Sequence, residues 1–123
     1  MTDRPPFAPG TNLALKIPAH LFDATVAFYR DVLGLETRPG PSGATVAFGA
    51  MTLWLDRVPT MTQPELWLEV RTADTAAAAR WLEAGGVPRC DAVEPLPEGF
   101  DGFWIAAPGG VVHLVAAKAP PAG

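Results

Sequence analysis

In this 123-residue chain, the side chains best able to move a proton are Glu65 and Glu69 in ELWLEV and His113 in VVHLV. Alternate residues of a strand share a face, so Glu65, Trp67 and Glu69 point one way and Leu66, Leu68 and Val70 the other. Carboxylates on one face push each other's pKa apart, as an acid and base pair requires. The competing reading leaves Glu69 at a rim, solvated or paired with Lys16. His113 is either a general base or ligand contact, or a buried strand histidine bonded to a neighbour such as Glu65. His20 and Cys90 carry no assigned role, although Arg89 beside Cys90 is of the right charge to lower a thiol pKa.

The elements that carry these groups are short. NLALKI (Asn12 to Ile17) alternates, with Leu13, Leu15 and Ile17 on one face, and ends at Pro18. Phe22, Val26, Tyr29 and Leu33 then recur at helical spacing, which predicts a helix over 23–33 with Asp23 as N-cap and Gly34 as stop. Strands are predicted over 35–38, 44–48 and 51–56, joined as hairpins through PGPSG and Gly49-Ala50. The order then repeats: a strand over 65–70, an N-cap at Asp74, a helix over 76–82 with Trp81 in its core face, a stop at Gly85-Gly86, and strands over 90–93, 101–106 and 111–116. The two caps and the two glycine stops are each 51 residues apart, so the chain reads as two copies of a β-α-β-β-β unit in an α+β domain.

Composition bounds the rest. With 49% hydrophobic and 18% charged residues the chain can bury a core, and its length suits one domain. Fourteen prolines and twelve glycines mostly mark joints, while those at the ends predict a flexible arm over residues 1–10 and a tail over 118–123. Nine basic residues, scattered among thirteen acidic ones, argue against a nucleic-acid partner. No apolar run reaches the roughly 20 residues of a membrane span. A single cysteine and no signal-peptide pattern make the cytoplasm the expected location. The stretch EPLPEGFDG is either a flap or a plain connection.

LALKIPAHLFDATVAFYRDVLGL, with its FYRDVLGL ending, resembles the first module of the vicinal oxygen chelate superfamily, and ELWLEVRTADTAAAARWLEAGGV with FWIAAPGGVVHLV resembles the second. That group holds glyoxalases, extradiol dioxygenases, epimerases and fosfomycin- and bleomycin-resistance proteins. The resemblance implies one domain over 11–117, with module one at 11–58 and module two at 64–117. It also implies a U-shaped curved mixed sheet with helices outside, and a homodimer. Alternation then turns Asn12 and Lys16 of the first strand, Trp54 and Asp56 of the fourth, and Glu65, Trp67 and Glu69 of the fifth toward the cavity, with Leu53 and Leu55 toward the helix. On the last strand the same parity gives Val111, His113 and Val115.

Metal-using members of that superfamily draw ligands from four positions, which fall here on Asn12, Trp54, Glu65 and His113. Glu65 and His113 suit zinc, nickel, iron or manganese, Asn12 is a weak donor, and Trp54 is none. Two such ligands fall short of the usual three, which favours a domain that binds or sequesters a small molecule without a cofactor. The ligand expected is planar or aromatic, stacked on Trp54, Trp67 and Phe103, with Glu65, Glu69, His113, Asn12 and Lys16 orienting its polar groups. The alternatives are a divalent-metal lyase, isomerase or dioxygenase that uses Glu65 and His113, and metal-free acid-base catalysis by the same pair.

Overall fold

The computed structural model describes residues 3–118. Among these, the elements in chain order are β1 (Phe7–Pro9), β2 (Asn12–Ile17), α1 (Ala19–Ala27), β3 (Thr37–Gly40), β4 (Gly43–Phe48), β5 (Met51–Arg57), β6 (Glu65–Thr72), α2 (Thr75–Ala84), β7 (Gly102–Ala106) and β8 (Val112–Ala117). The α+β class is as the sequence predicts. Two compact units divide the chain, one of Thr11–Trp67 and one of the chain before Thr11 and from Leu68 onward, so the boundary falls inside β6.

In the first unit β3, β4 and β5 pair antiparallel, β5 runs parallel to β2, and β2 pairs antiparallel with the start of β6. Ile17, Val46, Leu53 and Leu55 are buried, and Leu13, Leu15 and the α1 residues Phe22 and Val26 pack on them. This is the predicted parity of β2 and β5. Helix α1 begins four residues before the predicted start. Pro18, at φ −56°, fits the helix entry without needing an N–H, and its carbonyl accepts from Leu21. The predicted loop is therefore the first helical turn, and Asp23 caps nothing. Phe28–Val32 then widens into a π-turn, with the Leu33 N–H donating to Phe28 O at 3.0 Å, before Gly34 at φ +69° ends it as predicted.

In the second unit β8 lies parallel to β6 and antiparallel to β7, and β1 pairs antiparallel with the far half of β6. Ala78 of α2, Phe103, Ile105 and Val115 form its core, with Phe7, Val70 and Leu82 against them. Asp74 caps α2 as predicted, its carboxylate accepting the Ala77 N–H at 3.0 Å.

Two expectations are corrected in this unit. Residues 7–10 are not a loose arm: Phe7 reaches the core, Thr72 Oγ1 donates to Pro6 O, and the Gly10 N–H donates to Glu69 O at 2.9 Å. Residues 90–93 are not a strand, since Asp91–Val93 is a 3₁₀ turn beside one bridge between Arg89 and Ile105. The cause is Asp91, whose carboxylate takes the Trp104 N–H at 3.0 Å, the donor a further ladder bond would need. The predicted tail lies, beyond Lys118, outside the described residues.

Candidate functional site

On the face of the first unit turned from α1, the strand registers set Trp54, Ala14 and Trp67 side by side on β5, β2 and β6, with Asp56, Lys16 and Glu65 in the next row. Trp54 and Trp67 are thus two strand spacings apart, roughly 10 Å, across a methyl group. Each indole N–H is held by a neighbour: Trp54 Nε1 donates to Asn12 Oδ1 at 2.8 Å, and Trp67 Nε1 to Glu65 Oε1 at 3.0 Å.

Lys16 is buried, and its Nζ donates to Asp56 Oδ2 at 2.7 Å and sits 4.5 Å from the centroid of the buried Trp67 ring. Ser42 Oγ donates to the other Asp56 oxygen at 2.6 Å. Carboxylate and aromatic face together offset the cost of taking the ammonium out of water. The arrangement offers one half-buried indole, Trp54, and one exposed carboxylate, Glu65, to a ligand.

The donor set does not fit a divalent metal. Asn12 Oδ1 is turned to an indole N–H, and Trp54 has no lone pair to give. Among the described residues no group of three or more His, Cys, Asp or Glu stands close enough to hold an ion.

In the second unit two sequence expectations change together. β8 pairs His113 with Leu68 and Val115 with Val70, and β7 pairs Ile105 with His113 and Phe103 with Val115. Paired strand residues share a face, and Val70, Phe103, Ile105 and Val115 all pack with α2. His113 and Phe103 therefore point to the helix side, and the inward parity of Val111, His113 and Val115 is wrong by one residue. The register of β8 on β6 sets the face, since Val115 pairs with Val70, which packs with α2. The turn before β8 is closed by Gly109 and Gly110, at φ +88° and +86°, with Gly110 N–H on Ala107 O and Ala107 N–H on Val111 O, and the strand begins at Val112. His113 Nδ1 lies 3.0 Å from Val111 O, and Arg89 rather than a planar ligand covers Phe103, 4.6 Å from its centroid.

The opposite parity brings in a residue the sequence reading missed. Trp104 is buried, with its indole N–H donating to Glu94 O at 3.0 Å. Glu69 is buried on that same parity and takes Arg71 Nε at 3.1 Å and Nη2 at 3.3 Å, while Arg71 Nη1 donates to Ala117 O. EPLPEGFDG is tied at both ends, by Glu94 O to Trp104 and by Asp101 to Thr75 Oγ1 and the Ala117 N–H. Burial and the neighbouring Asp91 carboxylate push the Cys90 thiol up rather than down. Arg89 is engaged with Asp91 at 2.7 Å and, with the Trp104 N–H, holds that carboxyl below its ordinary range.

Residues 14–116 match the glyoxalase-like domain family. The chain belongs to that family, and so to the vicinal oxygen chelate superfamily. No curated protein sequence matches it. Among solved structures, this glyoxalase-like domain is similar to methylmalonyl-CoA epimerase from Mycobacterium tuberculosis, at 18% identity and TM-score 0.62 over 98% of this chain and 94% of that one. The Mn(II)-bound glyoxalase from Novosphingobium aromaticivorans gives 23% identity and TM-score 0.60 over 94% of this chain and 42% of that one. Homoprotocatechuate 2,3-dioxygenase from Arthrobacter globiformis gives 18% and 0.61 over 97% and 38%. The domain thus spans less than half the length of the last two, and at these identities the likeness is one of fold.

Proposed function

We propose that this glyoxalase-like domain binds and sequesters a flat, largely apolar small molecule without a metal. The observation that carries the reading is the 2.8 Å hydrogen bond from Trp54 to Asn12, which occupies two of the superfamily's four ligand positions with an indole and its acceptor. In this reading the ligand stacks on Trp54 over the Ala14 gap, and the exposed Glu65 carboxylate accepts a hydrogen bond from its polar edge. Trp67, Lys16 and Asp56 form the rigid floor. His113 and Phe103, on the α2 side of the second unit, have no part in it. A homodimer accompanies the proposal, since among the described residues β3 pairs with β4 alone and a bare strand edge invites cover, and a cytoplasmic location is proposed with it.

A second reading, a divalent-metal lyase, isomerase or dioxygenase with Glu65 as a ligand, draws support from the Mn(II) named for the glyoxalase relative; His113, on the α2 side, is not placed to join it. Element analysis of protein purified without chelator separates the two. The binding reading expects no stoichiometric metal. Stoichiometric metal that is lost in Glu65→Ala overturns it. Tryptophan quenching by a panel of planar compounds should be saturable and should weaken about fivefold or more in Trp54→Phe, and quenching indifferent to Trp54 removes the stacking role.

A further inference from the structure

We propose that the α2 side of the second unit carries a separate binding site for a small phenol-like molecule, one apolar ring bearing a single hydroxyl. A groove of about 250 Å³ runs there between Phe7, Val70, Leu82, Val87, Val115 and His113. Its origin is the early stop of α2. The helix ends at Ala84, Gly86 at φ +77° reverses the chain, and the Val87 N–H returns to Leu82 O at 2.9 Å. The start of β8, where His113 stands, is left without a helical roof.

The occupant follows from size and chemistry. An apolar cavity of roughly 150 Å³ takes up benzene, so this groove has room for a ring with a short substituent. No charged side chain lines it, so nothing in its lining pairs with an anion taken out of water. The single polar side chain is His113. Its Nδ1 faces the Val111 carbonyl at 3.0 Å, and a carbonyl only accepts, so Nδ1 carries the proton. In that tautomer Nε2 is the acceptor, which calls for a ligand that donates one hydrogen bond. A phenolic O–H meets all three conditions.

The test is an NMR titration of the intact chain with 4-ethylphenol, its methyl ether 4-ethylanisole, and 4-ethylbenzoate. Saturable shifts are expected on the methyls of Val70, Leu82 and Val115. The phenol should bind about five- to tenfold tighter than the ether, one hydrogen bond's worth, and the benzoate should not bind. His113→Phe, which keeps the ring, should make phenol and ether equal. Ala107→Phe, at the half-buried rim of the groove, should abolish both and serves if His113→Phe does not fold. No saturable shift on those methyls overturns the proposal, and so does a phenol preference that survives His113→Phe. A change of oligomeric state in Ala107→Phe, with phenol binding intact, makes the groove an interface and also overturns it. Every readout lies on second-unit methyls, so the outcome is independent of the metal and tryptophan measurements.

Discussion

Asp56→Ala should destabilise the protein by about 3–5 kcal/mol, because it removes the carboxylate that pairs with the buried Lys16 ammonium at 2.7 Å. Only 3% of the Lys16 side chain and 11% of the Asp56 side chain are exposed, and their charged atoms are 2.7 Å apart. At that distance and an effective dielectric near 20 the gross attraction is about 6 kcal/mol, most of it offset by desolvation of the two ions. Removing one partner forfeits the attraction and keeps the other ion's desolvation cost. Removing both, as in Lys16→Met with Asp56→Val, removes both costs, and the double variant should be more stable than Asp56→Ala alone. Urea unfolding followed by tryptophan fluorescence measures each arm, and Asp56→Ala should lower the melting temperature by roughly 10 °C or more. A loss under about 1 kcal/mol, the range of an exposed pair, refutes the reasoning, as does a double variant whose cost equals the sum of the singles. The outcome also bears on function. A Lys16 with a coupling this large is part of the floor beneath Trp67, and its substitution should impair ligand binding only through stability.

Three further outcomes follow from local geometry. Gly43→Ala should destabilise by about 3 kcal/mol or more in the same assay, since its Cβ would stand 2.1 Å from Leu55 O, a backbone atom that cannot yield. Asp74→Ala should cost about 1 kcal/mol by leaving the Ala77 N–H without its cap, whereas Asp23→Ala, at the position that merely looked like a cap, should be near neutral. Cys90 should react with iodoacetamide at pH 8 more slowly than a free cysteine, because burial and Asp91 both raise its thiol pKa, and Asp91→Asn should speed the reaction. An unchanged rate in that variant removes Asp91 as a cause.

The first module was legible because its two faces differ in character. NLALKI and MTLWLD alternate large aliphatic residues with smaller or polar ones, so the side facing α1 could be assigned without the structure. The closing hairpin gives no such contrast. FWIA and VHLVA carry large apolar residues on both faces, so their alternation does not say which face meets α2, and the register of β8 on β6 decides it. His113 and Phe103 were misplaced and Trp104 missed for this one reason. The start of α1 was hidden by a proline that reads as a breaker but sits at the helix entry, and β1 by the brevity of a three-residue strand in a proline-rich run. Asp91 was unreadable because a side chain that takes a ladder donor leaves no periodic trace.

Two local changes, far apart in sequence, bear on the same chemistry. At one, an indole stands where the superfamily resemblance implies a ligand, and its N–H engages the neighbouring amide oxygen, so one hydrogen bond between two side chains takes up two of the four positions. At the other, the register of β8 on β6 places His113 on the α2 side, where its Nδ1 meets a backbone carbonyl. Glu65 is left with one oxygen accepting from Trp67, and a carboxylate so placed is a weak hold on a hydrated cation but a good acceptor for a neutral ligand's N–H or O–H. In the first unit the strands present a flat ring, a methyl-sized gap and one acceptor, and it is on these that the proposed binding of a planar molecule, by stacking and a single directed hydrogen bond, rests.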